Sequence, residues 1–228
     1  MIKKIKIGFQ LLKYQHNFKK NVCLSVILLI MGVFFCLDSI VKNCIIGVVF
    51  LECSGMFLFS TVTSIYCTEL FKSSPKRKFL ETKSYTIENT VGNLIGLTIC
   101  IGVKLSGIIF RNMQSDTLLD TEKRIMMIQN EIFFAGIMTM VMAIYIACAY
   151  KYFIGTVIAY CIVVVIIQEM VDKINFAFEN NWSISTTVVV AYLAAFLGCV
   201  IAYFLTCLFY KKKMSVLGQP ADLRKYLK

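Results

Sequence analysis

The sequence predicts an all-α integral membrane protein with six transmembrane helices. Of its 228 residues, 58% are hydrophobic and 16% are charged, whereas soluble domains are about half apolar and about a quarter charged. Six apolar runs approach the roughly 20 residues that a spanning helix needs. These runs are Val22–Val41, Cys44–Tyr66, Val91–Phe110, Ile132–Tyr150, Phe153–Ile167 and Thr186–Tyr210. None has the two-residue alternation of a barrel strand, so we expect helices, in a transmembrane domain over residues 22–210.

The segment before the first span, residues 1–21, is expected to form an amphipathic helix. Its apolar side chains recur with helical spacing among lysines, and they are Ile2, Ile5, Phe9 and Leu12, with His16 on the same face. Basic amphipathic helices of this kind lie along the cytoplasmic membrane surface. A frayed basic tail is the alternative.

The basic residues predict the orientation. Eighteen fall in the N-terminal segment, the connections between spans two and three and between spans four and five, and the basic tail over 211–228. Five fall in the other connections, and Lys104 lies inside a span. Because cytoplasmic loops carry the excess of lysine and arginine, both termini are expected in the cytoplasm of a multi-pass plasma membrane protein. The net charge of +11 then has a topological cause and requires no nucleic-acid partner.

The connection between spans two and three, Phe71–Asn93, is longer than a turn between antiparallel helices needs. Ser74 suits a helix N-cap, and Pro75 suits the first helical position. We expect a short cytoplasmic helix with Phe79 and Leu80 as an apolar patch, followed by a second helix capped by Thr86. A docking surface is one interpretation, and a positively charged anchor without a partner is the other.

The segment before the last span, "QEMVDKINFAFENNWSIS", has an apolar helical stripe. Met170, Ile174 and Phe178 recur every four residues, and Trp182 suits a membrane interface. The spacing predicts a short helix on the outer membrane surface. An ordinary loop is the alternative.

Three ionisable residues are predicted inside spans: Asp38, Glu52 and Lys104. Charges are costly in hydrocarbon and therefore indicate function by default. Glu52 and Lys104 lie at similar depths from the outer ends of adjacent spans, about 12 Å and 9 Å at 1.5 Å per residue. We predict that they pair or line a translocation path. Asp38 is expected near the outer interface.

Span three carries small residues at four-residue spacing, which permits close approach of another helix. They are Gly92, Gly96, Gly102 and Ser106. Chance or flexibility is the competing explanation.

Motifs for chemistry are absent from the sequence. There is no GxxxxGK[ST] phosphate-binding loop, no GxSxG and no HExxH. The ten cysteines form no CxxC pair and there is one histidine, so we expect no metal site and no catalytic residues. We expect the chain to be no enzyme, to hold no cofactor itself, and to depend on ATP and Mg²⁺ bound to a partner subunit if it transports against a gradient.

The amphipathic start, the six spans and the stretch "SSPKRKFLETKSYTIENTVGN" together resemble a small ABC-2 type permease, the membrane subunit of an ATP-binding-cassette exporter. The resemblance covers nearly the whole chain. It implies that a cytoplasmic helix between spans two and three couples to the ATPase subunit. The residues that take this role are Ser74, Pro75, Lys76, Arg77, Lys78, Phe79 and Leu80.

The predicted function is therefore export of a hydrophobic or amphipathic cargo, such as a peptide. The permease would pair with itself or with a related subunit and dock two ATPase chains. Two alternatives stay open: a six-helix substrate-binding subunit of an ATPase-driven uptake system, and a membrane scaffold that transports nothing.

Overall fold

The computed structural model describes residues 18–38, 47–54, 75, 77–112, 118–149, 151–173 and 182–210. The elements within these ranges are helical: α1 Phe18–Asp38, α2 Arg77–Phe79, α3 Tyr85–Asn112, α4 Leu118–Ala149, α5 Phe153–Lys173 and α6 Ile184–Phe209. Residues 47–54 are also helical. The predicted N-terminal amphipathic helix and the basic tail over 211–228 lie outside the described residues, apart from the start of α1.

Five helices are long and apolar enough to cross a membrane, which confirms an all-helical, multi-pass class. Their spans are Lys19–Leu37, Glu81–Ser106, Ile125–Ala149, Phe153–Met170 and Ile184–Phe209. They correspond to the predicted spans one, three, four, five and six. Of predicted span two, Cys44–Tyr66, the structure describes the helical residues 47–54, so six spans stay a prediction.

Helix α4 is the centre of the bundle. It packs against α3, α5 and α6, while α3 also contacts α1 and α6. Within its membrane span 61% of α4 is buried, against 6% for α5. The apolar side chains on the outer face of α5, such as Ile158 and Ile162, are exposed and suit contact with lipid. The turn between α4 and α5 is tight, with the Lys151 and Tyr152 amides both donating to the Cys148 carbonyl.

Helices α4 and α6 approach each other closely. A Cβ atom added at Gly136 would lie 2.5 Å from Ala191 Cα, and one added at Gly198 would lie 2.6 Å from Met140 Cα. The buried face of α6 is mostly small residues: Thr187, Ala191, Ala195, Gly198, Cys199, Ala202 and Thr206. Small side chains let backbones approach, so this interface depends on the absence of larger ones.

The small residues predicted to pack in span three behave differently. A Cβ added at Gly102 would meet nothing within 4 Å, and one at Gly96 would meet the Leu51 carbonyl oxygen at 3.9 Å. Ser106 is half-buried and bonds the Val103 carbonyl of its own helix, and Gly92 is half-buried. Gly102 is exposed, and its packing role stays a prediction.

Helix α1 lies antiparallel to residues 47–54. Ser25 Oγ donates to the Ser54 carbonyl over 2.7 Å, and Gly47 lies against the backbone of Cys36. Gly32 lies against Leu51, where an added Cβ would be 2.8 Å from Cγ. This pairing holds Glu52 against the interior of the bundle, where it is 2% exposed.

The chain between Arg77 and Asn112 is helical throughout, and this corrects the predicted break. Helix α2 passes through one wide π-helical turn, Leu80–Ser84, directly into α3. Thr86 caps nothing, since its Oγ1 donates to the Thr82 carbonyl one turn back. The sequence has no glycine or proline between Pro75 and Gly92, and threonine hydroxyls can bond within a helix. Nothing in this stretch therefore ends the helix.

The segment before α6 also begins as helix. Met170 belongs to α5, which ends at Lys173. Ser183 caps α6, its side chain accepting from the Thr186 amide. Trp182 is half-buried: its ring meets Phe133 with centroids 5.7 Å apart, and its carbonyl accepts from Gln129 Nε2. Residues 174–181, which include Ile174 and Phe178, lie outside the described part.

Candidate functional site: a buried polar stripe on α3

One face of α3 and of the turn before it carries polar side chains buried inside the bundle. Each is at most 3% exposed, and they are Glu81, Ser84, Tyr85, Glu88, Asn89, Asn93 and Lys104. Their three-, four- and seven-residue spacing keeps most of them on one helical face. Tyr85 and Lys104 are about 28 Å apart along the helix at 1.5 Å per residue, close to the roughly 30 Å hydrocarbon thickness. Between Asn93 and Lys104 the buried residues of this helix are apolar, among them Leu97 and Cys100, so the polar stripe has a continuous part, residues 81–93, and Lys104 at its far end.

At one end of the stripe Lys104 forms an ion pair with α4. Lys104 Nζ lies 2.6 Å from Glu131 Oε2, and the two side chains are 1% and 2% exposed. The acidic partner recorded for Lys104 is thus Glu131, which the sequence placed in the connection after span three, and not the predicted Glu52. The α4 membrane span begins at Ile125, so Glu131 lies within it.

Near the middle of the bundle Glu52 meets α4. Thr139 Oγ1 lies 2.6 Å from Glu52 Oε1 and 2.9 Å from the Ala135 carbonyl oxygen. One hydroxyl carries one proton, so both bonds form together only when Glu52 supplies a proton of its own. Glu52 Oε2 has no hydrogen-bond partner among the described residues.

The other half of the stripe fixes α3 against α4. Tyr85 Oη donates to the Ile146 carbonyl over 2.9 Å, and Asn89 Nδ2 donates to the Ala143 carbonyl over 3.4 Å. Together with Lys104 and Glu131, these contacts show that α3 and α4 run antiparallel. Side chains of α3 thus hold it against α4 by donating hydrogen bonds to backbone carbonyl oxygens of α4.

Several buried groups of the stripe have spare hydrogen-bonding capacity. Within the described ranges, Asn93 has no partner for either amide atom, and Glu88 Oε2 has none although Ser84 donates to Oε1. A buried polar group left unpaired costs about 1–3 kcal/mol. Groups of this kind inside a membrane protein mark pathways and binding sites by default.

The predicted coupling residues lie at the start of the continuous helix. Pro75 and Lys78 are exposed and Phe79 is half-buried. Arg77 and Leu80 are in helical positions, while Ser74, Lys76 and the side chains of Arg77 and Leu80 lie outside the described part. The structure places this region next to the polar stripe along one helix.

Asp38 is the last residue of α1, and its side chain lies outside the described part. Among the residues that the structure describes, no group of three His, Cys, Asp or Glu side chains could hold a metal ion. Sequence reasoning missed Glu88, Asn89, Asn93, Glu131 and Thr139. Their signal was the spacing of polar residues on one face of α3, continued on α4.

No family model matches the sequence, no curated protein matches it, and no solved structure matches the fold.

The Glu52–Thr139 contact makes a testable prediction. Thr139→Val leaves the buried Glu52 without its described hydrogen-bond partner and should cost about 1–3 kcal/mol of stability. Glu52→Gln should cost less, because an amide can donate to Thr139 while Thr139 donates to Ala135. Thermal unfolding in detergent measures both. Thr206→Val is the matched control, since that buried hydroxyl donates to the Ala202 carbonyl of its own helix. Equal losses from Thr139→Val and Thr206→Val would contradict a role for the Glu52 contact.

Proposed function

We propose that the chain is the membrane permease subunit of an exporter driven by a separate ATP-hydrolysing subunit. The observation that carries this proposal is the buried polar stripe on α3. Buried polar and charged groups of this kind have a cost in hydrocarbon that a purely structural bundle avoids by using apolar side chains. In a permease, such groups can form hydrogen bonds and ionic contacts with the cargo and so replace the contacts with water that the cargo loses.

The spare hydrogen-bonding groups support a cargo with polar and apolar parts. Asn93 and Glu88 face the bundle interior with atoms unbonded in the described residues, while Leu97 and Met138 are buried in the same bundle. An amphipathic molecule, such as a peptide, could satisfy both kinds of surface. Export rather than uptake rests on the ABC-2 resemblance.

The continuous helix offers a mechanical link between the ATPase and the stripe. We place Pro75, Lys78 and Phe79 in the cytoplasm, on the basis of the distribution of basic residues. A helix that runs without a break from Arg77 to Asn112 moves as a unit, apart from the wide turn at Leu80–Ser84. Displacement of its cytoplasmic end by an ATPase would then shift α3 against α4, as packed helices shear in other transitions.

The test compares the apolar residues of the predicted coupling segment with its basic residues, which would lie at the edge of the interface with the ATPase. Phe79→Ala together with Leu80→Ala should weaken copurification with the ATPase by about 2 kcal/mol or more, the usual cost of truncating an interface anchor. Lys76→Gln together with Lys78→Gln should have a smaller and salt-dependent effect. The affinity of the purified ATPase for each variant in detergent shows which pair of substitutions weakens binding more.

The variants also distinguish the alternatives. All should insert, because enough basic residues stay to set the orientation. If the lysine pair abolishes insertion while the alanine pair binds the ATPase normally, the segment is a positively charged anchor and the coupling role is lost.

A further inference from the structure

A continuous groove lies between the first turns of α3 and the last turns of α6. Its inner part is a slot of about 380 Å³ whose walls include Ile87 and Thr90 on one side and Phe196, Val200 and Phe204 on the other. Its mouth is a second cavity of about 610 Å³, lined by Lys78, Phe79, Thr82 and Cys207 among others. Lys83 and Tyr203 line both cavities, so the two form one α3–α6 groove.

The slot is apolar even where threonines line it. Thr86 and Thr90 line it, and each donates its hydroxyl proton to a carbonyl of its own helix over 2.8 Å. Bonds of this kind satisfy the hydroxyl inside the helix and leave the methyl groups for the slot. Phe196 and Phe204 are 61% and 66% exposed, so the outer face of the slot meets the hydrocarbon of the bilayer.

The mouth of the groove carries positive charge. Lys78 and Lys83 are exposed, and the ion pairs found within the described part of the chain involve neither amine. Lys83 lies in the wide turn Leu80–Ser84, a helix irregularity that is frequent at functional sites. An apolar slot with two exposed amines at its mouth complements a molecule that has a long chain and an anionic head.

We infer that the α3–α6 groove binds one acidic phospholipid, with an acyl chain in the slot and the phosphate at Lys83. Lys78 stands at the rim. In the proposed orientation this mouth faces the cytoplasmic leaflet, where acidic lipids are found and where basic pockets between helices bind their head groups. The apolar face of a helix from a second copy of the chain could fill the slot. It would not place an anionic group beside Lys83, as a phospholipid does.

The experiment uses the purified chain alone in neutral detergent, so its outcome is independent of any ATPase. Native mass spectrometry measures binding of phosphatidylglycerol and of phosphatidylcholine with the same acyl chains. The wild-type chain should prefer phosphatidylglycerol. Lys83→Gln should lower that affinity about fivefold, and Lys78→Gln added to it about twenty-fivefold, from the usual contribution of a lysine near an anionic surface. Binding of phosphatidylcholine should change little.

Two further variants make the test specific. Lys20→Gln removes an equal charge from an exposed position at the start of α1 and should leave both affinities unchanged. Val200→Trp should weaken both lipids, since it fills the slot. Equal binding of the two lipids by the wild-type chain, or an equal loss in Lys20→Gln, overturns the inference. So does a wild-type dimer that binds neither lipid until it is dissociated, because a second copy then occupies the groove.

Discussion

Replacing Lys104 by methionine should destabilise the protein by about 3–5 kcal/mol. The change leaves Glu131 as a buried carboxylate without its recorded ion-pair partner, and breaking a buried pair from one side has a cost of this size. Lys104→Met combined with Glu131→Gln should cost less than the sum of the single changes, because the double variant strands no charge. Unfolding in detergent, monitored by circular dichroism and by loss of the monodisperse peak, measures the three variants.

Two control variants test whether the effect is specific to the buried pair of Lys104 and Glu131. Lys173→Met breaks the other ion pair of the described residues, between Lys173 and Glu169, whose side chains are 73% and 64% exposed, and exposed pairs of this kind contribute little to stability. Glu52→Gln combined with Lys104→Met should be nearly additive, since Glu52 bonds Thr139 instead. Coupling of Lys104 to Glu52 that exceeds its coupling to Glu131 would contradict the observed pairing.

The second large effect is expected at the contact between α4 and α6. Gly136→Ala places a methyl group 2.5 Å from the Ala191 backbone, and Gly198→Ala places one 2.6 Å from the backbone at Met140. Both neighbours are backbone atoms that cannot move alone, so the helices must separate. Overpacking of this kind costs about 1–3 kcal/mol and occasionally more. The unfolding temperature in detergent should fall for each variant.

The matched controls are glycines of other helices. A Cβ atom at Gly102 or Gly155 would meet no described atom within 4 Å, and alanine favours a helix over glycine by up to about 1 kcal/mol. Gly102→Ala and Gly155→Ala should therefore be neutral or stabilising. A loss in these controls as large as in Gly136→Ala would show that glycine itself, rather than the close contact, is needed.

The helical membrane class follows from the sequence because length and apolarity act locally. A run such as Thr186–Tyr210 contains all the information that its own span needs, and the observed span Ile184–Phe209 agrees within two residues. Span three was predicted to start too late, at Val91. The candidate span begins at Glu81, because the helix is continuous from Arg77. Glu81, Glu88 and Asn89 are buried in the bundle although they are polar.

The candidate site was less predictable because it depends on which helices meet. Depth along two adjacent spans suggested that Lys104 would pair with Glu52, but depth does not fix rotation about a helix axis. The rotation of α3 places Lys104 toward Glu131 on α4, while residues 47–54 present Glu52 to Thr139. In the same way, glycine spacing suggested packing in span three, whereas the close contact arises at Gly136 and Gly198, on helices that are not consecutive.

The most direct test of the proposed permease is the composition of its complex. The chain is purified in mild detergent with an affinity tag after Lys228, and native mass spectrometry with peptide sequencing determines the partners and their copy numbers. The account predicts two six-helix subunits, either two copies of this chain or one copy with a related permease, together with two copies of an ATPase that has a GxxxxGK[ST] loop. A single copy of the chain bound to an ATPase would indicate the uptake subunit instead. A chain that purifies with no such ATPase, while Phe79→Ala and Leu80→Ala change nothing, would contradict the account.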